Sequence, residues 1–191
     1  MRLLTAHHLL SARAVASRSR DALAYTAGNM PMSLAQQLRH LRRANTIARA
    51  AMDAGHHPFG ALLVAPDGDT VLLEQGNIDA VNHAEAVLAR EAARLHPPAL
   101  LWACTLVTTV EPCAMCAGTQ YWAHIGALVY GMSERDLLAH TGAHSDNPTL
   151  DLPCRDVFAR GQKAVQVIGP VREVHDEIAT LHRQFWARRE P

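Results

Sequence analysis

Between Ser33 and Gly55, Leu34, Leu38, Leu41, Ile47, Ala48 and Ala51 recur at three- to four-residue intervals, the spacing that lays an apolar stripe along a helix. Ser33 is a capping residue type and Gly55 a stop, so a helix is expected between them. The pattern then shifts to short apolar runs. His57–Val64 and Val71–Leu73 flank Pro66-Asp67-Gly68-Asp69, which predicts two strands of a hairpin joined by a tight turn. Gly76 to Asn82 is a loop, and Asn82 is placed to cap a helix that runs to about Leu95, where Leu95-His96-Pro97-Pro98 breaks it. Leu106–Val110 predicts a strand, Cys113 to about His124 a helix, and Ala127–Tyr130 another strand. Gly131–Gly161 is loop-rich, with short helices expected at 134–139 and 155–160. Ala164–Ile168 is the last strand and Val171–Arg189 an amphipathic closing helix. The order α-β-β-α-β-α-β-β-α predicts one domain over residues 33–191, with helices on both faces of a mostly parallel sheet.

Composition narrows this picture. The chain has 191 residues, 49% hydrophobic and 19% charged, enough for a proper core. No run approaches the length of a membrane span, and four cysteines make no secreted disulfide framework, so a cytoplasmic setting without a membrane is expected. Residues 1–32 differ from the rest in holding four arginines and a single acid, Asp21. They resemble a transit segment or an over-extended start with Met30 or Met32 as the true beginning. The second reading is preferred, and the segment is expected to be poorly ordered and not catalytic. The remainder carries 14 basic and 17 acidic residues, and Lys163 is the only lysine. That balance is poor for a surface that tracks phosphates.

The chemistry sits in two short stretches. Thr109-Val110-Glu111-Pro112-Cys113-Ala114-Met115-Cys116 joins a strand to a helix. Pro112 suits the first helical position and pushes Glu111 into an extended conformation. Cys113 and Cys116 then share one face at a helix N-terminus, where the dipole favours thiolate. Cys-x-x-Cys alone also fits a redox pair or half a structural zinc knuckle. The second stretch, His83-Ala84-Glu85, supplies a third ligand in His83. Three protein ligands with an open fourth position is a catalytic Zn²⁺ arrangement, and His-x-Glu followed by Pro-Cys-x-x-Cys is the signature of zinc nucleobase deaminases. Zinc there supplies water activated at neutral pH. Glu85 would carry the proton from that water to the ring nitrogen and then to the leaving ammonia. Cys104 and Cys154 are expected to be ordinary buried thiols.

With these pieces, together with Pro58-Phe59-Gly60-Ala61 and Ile125-Gly126-Ala127-Leu128-Val129-Tyr130-Gly131, the chain resembles the cytidine deaminase superfamily from about Ser33 to Arg189. It is most similar to the branch of guanine, fungal-type cytosine and tRNA adenosine deaminases. The resemblance implies a three-layer α/β/α sandwich around a five-stranded mixed sheet whose last two strands run parallel, and a homodimer. It implies zinc on His83, Cys113 and Cys116, a proton shuttle at Glu85, and a base-orienting asparagine at Asn77. The loop from Ile78 to Asn82 is shorter than relatives carry, which makes Asn82 a rival for that role. Phe59, Ala84 and Trp122 are further expected substrate contacts, although core packing explains Phe59 and Trp122 as well. Asp136 and Glu134 lie where guanine-acting relatives hold a second acid, and Asp136 is the one assigned to substrate. His56, His57, His140 and His144 are polar loop or surface groups first and substrate contacts second. The expected substrate is a small aminopurine base or nucleoside, guanine first, covered by the Gly131–Gly161 segment. The alternative is a tRNA adenosine deaminase, suggested by Ala117-Gly118, Ile125-Gly126 and the closing Phe185-Trp186-Ala187-Arg188-Arg189. A zinc-stabilised module without activity would leave Glu85 without a task.

Overall fold

The computed structural model describes residues 31–142, 144–145 and 147–188. Most of the expected N-terminal extension, residues 1–30, therefore lies outside the described residues, as does the end of the closing segment.

The first helix, α1 (Leu34–Asp53), starts where its sequence says it should. Ser33 Oγ accepts from the Gln36 N–H, and Gln36 Oε1 accepts in return from the Ser33 N–H at 2.9 Å. This reciprocal pair satisfies two of the donors that every helix start leaves open. The hairpin follows as β1 (Gly60–Val64) and β2 (Val71–Gly76), then α2 (Ala84–Leu95). A short helix, α3 (Pro98–Trp102), fills the expected break. Its proline stands at the helix start, where the missing N–H costs nothing. Next come β3 (Thr105–Val110), α4 (Ala114–Trp122), β4 (Ala127–Met132), α5 (Glu134–Thr141), α6 (Cys154–Ala159) and β5 (Gln166–Ile168). A 3₁₀ turn (Arg172–Val174) leads into α7 (His175–Trp186).

The five strands form one sheet in the order β2-β1-β3-β4-β5. It is mixed, as the resemblance implies, rather than mostly parallel as the element order alone suggests. The β1–β2 and β1–β3 pairs are antiparallel, while β3–β4 and β4–β5 are parallel. The hairpin forces the first reversal, and helical crossovers through α4 and the α5–α6 segment keep the later strands parallel. Strands β1, β3 and β4 are buried along their whole length, because both faces are covered. Ala61, Leu63, Leu106 and Leu128 pack against α2 and α4 on one side. Leu62, Val64, Val107 and Val129 pack with Leu41, Ile178 and Ala179 of α1 and α7 on the other. Gly60 is required at that contact. A Cβ there would stand 2.2 Å from the Ala44 carbonyl oxygen of α1.

This topology gathers one edge of the sheet into a site. Parallel neighbours end at the same edge, so the turns after β3 and β4 lie side by side, with Val110 opposite Met132. Antiparallel β1 begins at that same edge and β2 ends there, with Gly60 opposite Gly76.

Candidate active site

His83 is the N-cap of α2 and Cys113 the N-cap of α4, both in extended backbone and neither making a side-chain cap bond. Each corrects an expected helix start by one residue. Asn82 does not cap α2, because its side-chain amide donates to Asp79 Oδ2 at 2.9 Å. Pro112 precedes the cap of α4 instead of opening the helix. The two helix N-termini aim their ligands at one point. Cys116 follows Cys113 by three positions, close to one turn, and shares its face.

His83 Nδ1 lies 3.7 Å from Cys113 Sγ and 3.6 Å from Cys116 Sγ. The three ligand atoms all fall within 4.8 Å of one another. A tetrahedral Zn²⁺ with Zn–S near 2.3 Å and Zn–N near 2.0 Å requires S···N edges of about 3.6 Å, so the residues fit the ion. Among the described residues this is the only group of three or more His, Cys, Asp or Glu so arranged. Hydrogen bonding from Cys116 pulls the Cys113 thiol down to about 4, with His83 adding to the effect. The same pairing pushes Cys116 up, so the pair loses its first proton at Cys113. The hydrogen bond with Cys113 raises His83.

Glu85 points from the first turn of α2 into the sheet and is 4% exposed. Its Oε1 accepts from Thr108 Oγ1 at 2.7 Å, and its Oε2 accepts from Cys116 Sγ at 3.5 Å. Burial raises its pKa, partly offset by the Thr108 bond. A carboxyl with an elevated pKa, in contact with a metal ligand, can both take and give a proton. Sequence alone does not single out Thr108. Its signal was a polar side chain inside the otherwise buried strand β3, on the face that meets α2.

Around this group the edge supplies acceptors. Asn77 directly follows β2 and is held by its N–H to the Phe59 carbonyl at 3.0 Å. It is 4% exposed. Its Nδ2 donates to the Asp79 carbonyl at 3.2 Å, whereas its Oδ1 has no hydrogen-bond partner among the described residues. Phe59 stacks on the His83 ring with centroids 6.4 Å apart and planes 9° off parallel. Ala84 is fully buried between His83 and Glu85. After β4, Glu134 is half-buried. Burial first, then the nearby charges of Cys113, Glu85 and Glu111, push it up to about 8.

Two expected contacts land elsewhere. Trp122 is 76% exposed. It lies about two and a half turns beyond Cys113, on the side of α4 opposite buried Cys116, Ala117 and Gln120. Asp136 is exposed. It accepts from Ser133 Oγ at 2.7 Å and lies 3.7 Å from His175 Nε2, because its position in α5 points away from the sheet edge. Glu134, two residues earlier, is the acid that faces the site. Of the histidines, His57 packs edge-on against Phe185 and Trp186, and buried His144 lies 5.0 Å from Trp186. Half-buried His140 lies on α5, and His56 is exposed. Cys104 and Cys154 are buried and outside any disulfide, as expected.

Residues 34–132 match the cytidine and deoxycytidylate deaminase zinc-binding region. A Schizosaccharomyces pombe protein named as a probable cytosine deaminase is 32% identical over 155 residues, covering 79% of this chain and 93% of its own. A Bacillus subtilis guanine deaminase is 38% identical over 101 residues, covering 50% of this chain and 64% of its own. Among solved structures, a guanine deaminase from Nitrosomonas europaea is similar in fold, with a TM-score of 0.60 at 23% identity over 86% of this chain and 90% of that one. A structure from a study of A-to-I editing by tRNA:A34 deaminases gives 0.55 at 27% identity over 75% of this chain and 99% of that one.

Proposed function

This chain belongs to the cytidine and deoxycytidylate deaminase family, a zinc-dependent hydrolase of C–N bonds, and we propose that its substrate is a small free nucleobase, with guanine the first choice. The observation that carries this reading is the unpartnered, buried Oδ1 of Asn77 at the same sheet edge as the His83–Cys113–Cys116 group. A buried acceptor left without a donor costs free energy unless a ligand supplies one. Asn77 is preferred over Asn82 because Asp79 already engages the Asn82 side chain. Glu134 offers a second acceptor. Guanine brings N–H donors on both of its rings, which matches two acceptors better than a single-ring base does.

In this reading His83, Cys113 and Cys116 hold the zinc, which supplies water activated at neutral pH. Phe59 and Ala84 form the wall beside the base. Glu85 takes the water proton on Oε2, passes it to the ring nitrogen beside the amine-bearing carbon, and then assists departure of ammonia. Water oxygen replaces the amine, so guanine and water become xanthine and ammonia. We take the working form to be a homodimer in the cytoplasm. The exposed apolar pair Met115 and Trp122 on the outer face of α4 supports the dimer. Among the described residues no helix is long and apolar enough to cross a membrane.

A tRNA adenosine deaminase remains the competing reading, favoured by the resemblance to the A-to-I editing structure. Against it, three arginines of α1 are engaged in ion pairs, Arg39 with Asp69, Arg42 with Glu177 and Arg43 with Glu74. The deciding experiment measures ammonia release from guanine, guanosine, adenine and cytosine, beside inosine formation in an anticodon stem–loop, with chelated enzyme as the control. Guanine turnover that is nearly independent of salt is expected. RNA editing that falls steeply between roughly 50 and 200 mM salt, without turnover of any small base, would overturn the proposal. Faster turnover of cytosine than of guanine would move the substrate to the pyrimidines.

A further inference from the structure

Glu111 follows β3 directly and precedes Pro112 and Cys113. It is only 7% exposed, and neither metal binding nor proton transfer employs it. Its N–H donates to the carbonyl of Met132, the last residue of β4, at 2.8 Å, continuing the β3–β4 pairing one residue past the end of β3. Its carboxylate divides between two distant segments. Oε2 accepts from the N–H of Glu134, the first residue of α5, at 3.3 Å, and Oε1 accepts from the N–H of Cys154, the first residue of α6, at 3.0 Å. One side chain thus ties both ends of the long connection between β4 and α6 to the strand that delivers the cysteine ligands.

We propose that Glu111 is a positioning residue, which sets where Glu134 presents its carboxyl at the site by holding the Glu134 and Cys154 backbones on its two oxygens. The inference rests on the reading that Glu134 meets the substrate. A buried carboxylate is an expensive choice for stability alone, because its polar oxygens leave water and must be hydrogen-bonded in return. Its two acceptor oxygens, held at a fixed angle, explain the choice. A glutamine has one acceptor and would turn its amide donor towards the second N–H. An aspartate keeps both acceptors but draws them back by one methylene.

The test uses the full-length, zinc-loaded protein and the variants Glu111→Gln, Glu111→Asp, Glu134→Gln and Glu111→Gln/Glu134→Gln. Zinc content, amide hydrogen exchange and the kcat and KM for guanine are measured on each. Glu111→Gln is expected to keep its zinc and to lose exchange protection at the Glu134 or Cys154 amide. Its KM should rise about tenfold, the scale of one misplaced hydrogen bond, with a much smaller change in kcat. The double variant should be no worse than Glu134→Gln alone, since both changes remove the same contact. Glu111→Asp should show the same split to a lesser degree, and it replaces Glu111→Gln should that variant not fold. Fully additive losses, or wild-type exchange and KM in Glu111→Gln beside an impaired Glu134→Gln, overturn the positioning role alone. A Glu134→Gln variant with unchanged KM for every base overturns both the reading of Glu134 and the role built on it.

Discussion

The site has two halves built in different ways. The metal-binding half stands on two helix N-termini, with His83 and Glu85 two positions apart and Cys113 and Cys116 three apart. Within each pair the geometry is local, since helical spacing alone turns Cys113 and Cys116 to one side, and the packing of α2 against α4 brings His83 to them. The acceptor half has no such local rule. Asn77 follows β2, Phe59 precedes β1 and Glu134 follows β4, and only the order β2-β1-β3-β4 brings them to one edge. Chemistry written in adjacent residues survives an error in topology, whereas chemistry assembled by sheet register does not.

The sharpest way to break this contrast lies in the local half. Glu85→Gln should retain zinc and fold, since its neighbours Thr108 and Cys116 still meet an amide of the same shape. Turnover should nevertheless fall by about 10²–10⁴-fold, the usual contribution of a positioned acid–base group. Steady-state kinetics on the base that the wild type turns over fastest, with metal analysis in parallel, checks this. Near-normal turnover would remove Glu85 from the proton path.

That half was also the legible one. The ligand triad and the buried position of Glu85 follow from two short motifs, and the helix from Ser33 was bounded by its cap and its glycine. Errors gathered where long-range contacts decide. The resemblance implied the mixed sheet, whereas the element order alone pointed to a mostly parallel one, because no strand pattern encodes the antiparallel pairing of β1 with β3. Trp122 looked like a stacking residue by type, but its phase on α4 places it opposite the buried face. Glu134 and Asp136 were indistinguishable as two acids past a strand. The start of α5 at Glu134 separates them, since Ser133 caps the helix and draws Asp136 outward.

The acceptor half yields a smaller and more selective effect. Glu134→Gln should lower kcat/KM for guanine about tenfold, as expected for one hydrogen bond to substrate, mainly through KM. Asp136→Asn should change it less than about twofold, because Asp136 meets Ser133 and His175 at the surface. Equal effects from the two variants would erase the distinction that the structure draws between them.

The smallest effect concerns the seam behind Phe59, where α7 meets the site. His182 is fully buried, its ring 5.1 Å from Phe59 and tilted edge-on. Its Nδ1 accepts from Trp186 Nε1 at 3.4 Å, while its Nε2 has no hydrogen-bond partner among the described residues. Burial, with His140 and His57 nearby, holds its pKa at about 3, against about 6.5 for an unfolded chain. Between those values the unfolded state binds the extra proton, so stability rises with pH and is lost as pH falls below about 6.5. At full slope the loss is about 1.4 kcal/mol per pH unit, or about 2 kcal/mol from pH 7 to pH 5. Urea unfolding of the wild type and of His182→Leu at both pH values, under saturating zinc, isolates that term, because every other titrating group is common to the two proteins. The variant loses the Trp186 bond and should be somewhat less stable at pH 7, yet its stability should fall by about 2 kcal/mol less on going to pH 5. An equal fall in both proteins would mean that His182 accepts its proton without unfolding, and that the seam behind Phe59 is open to water.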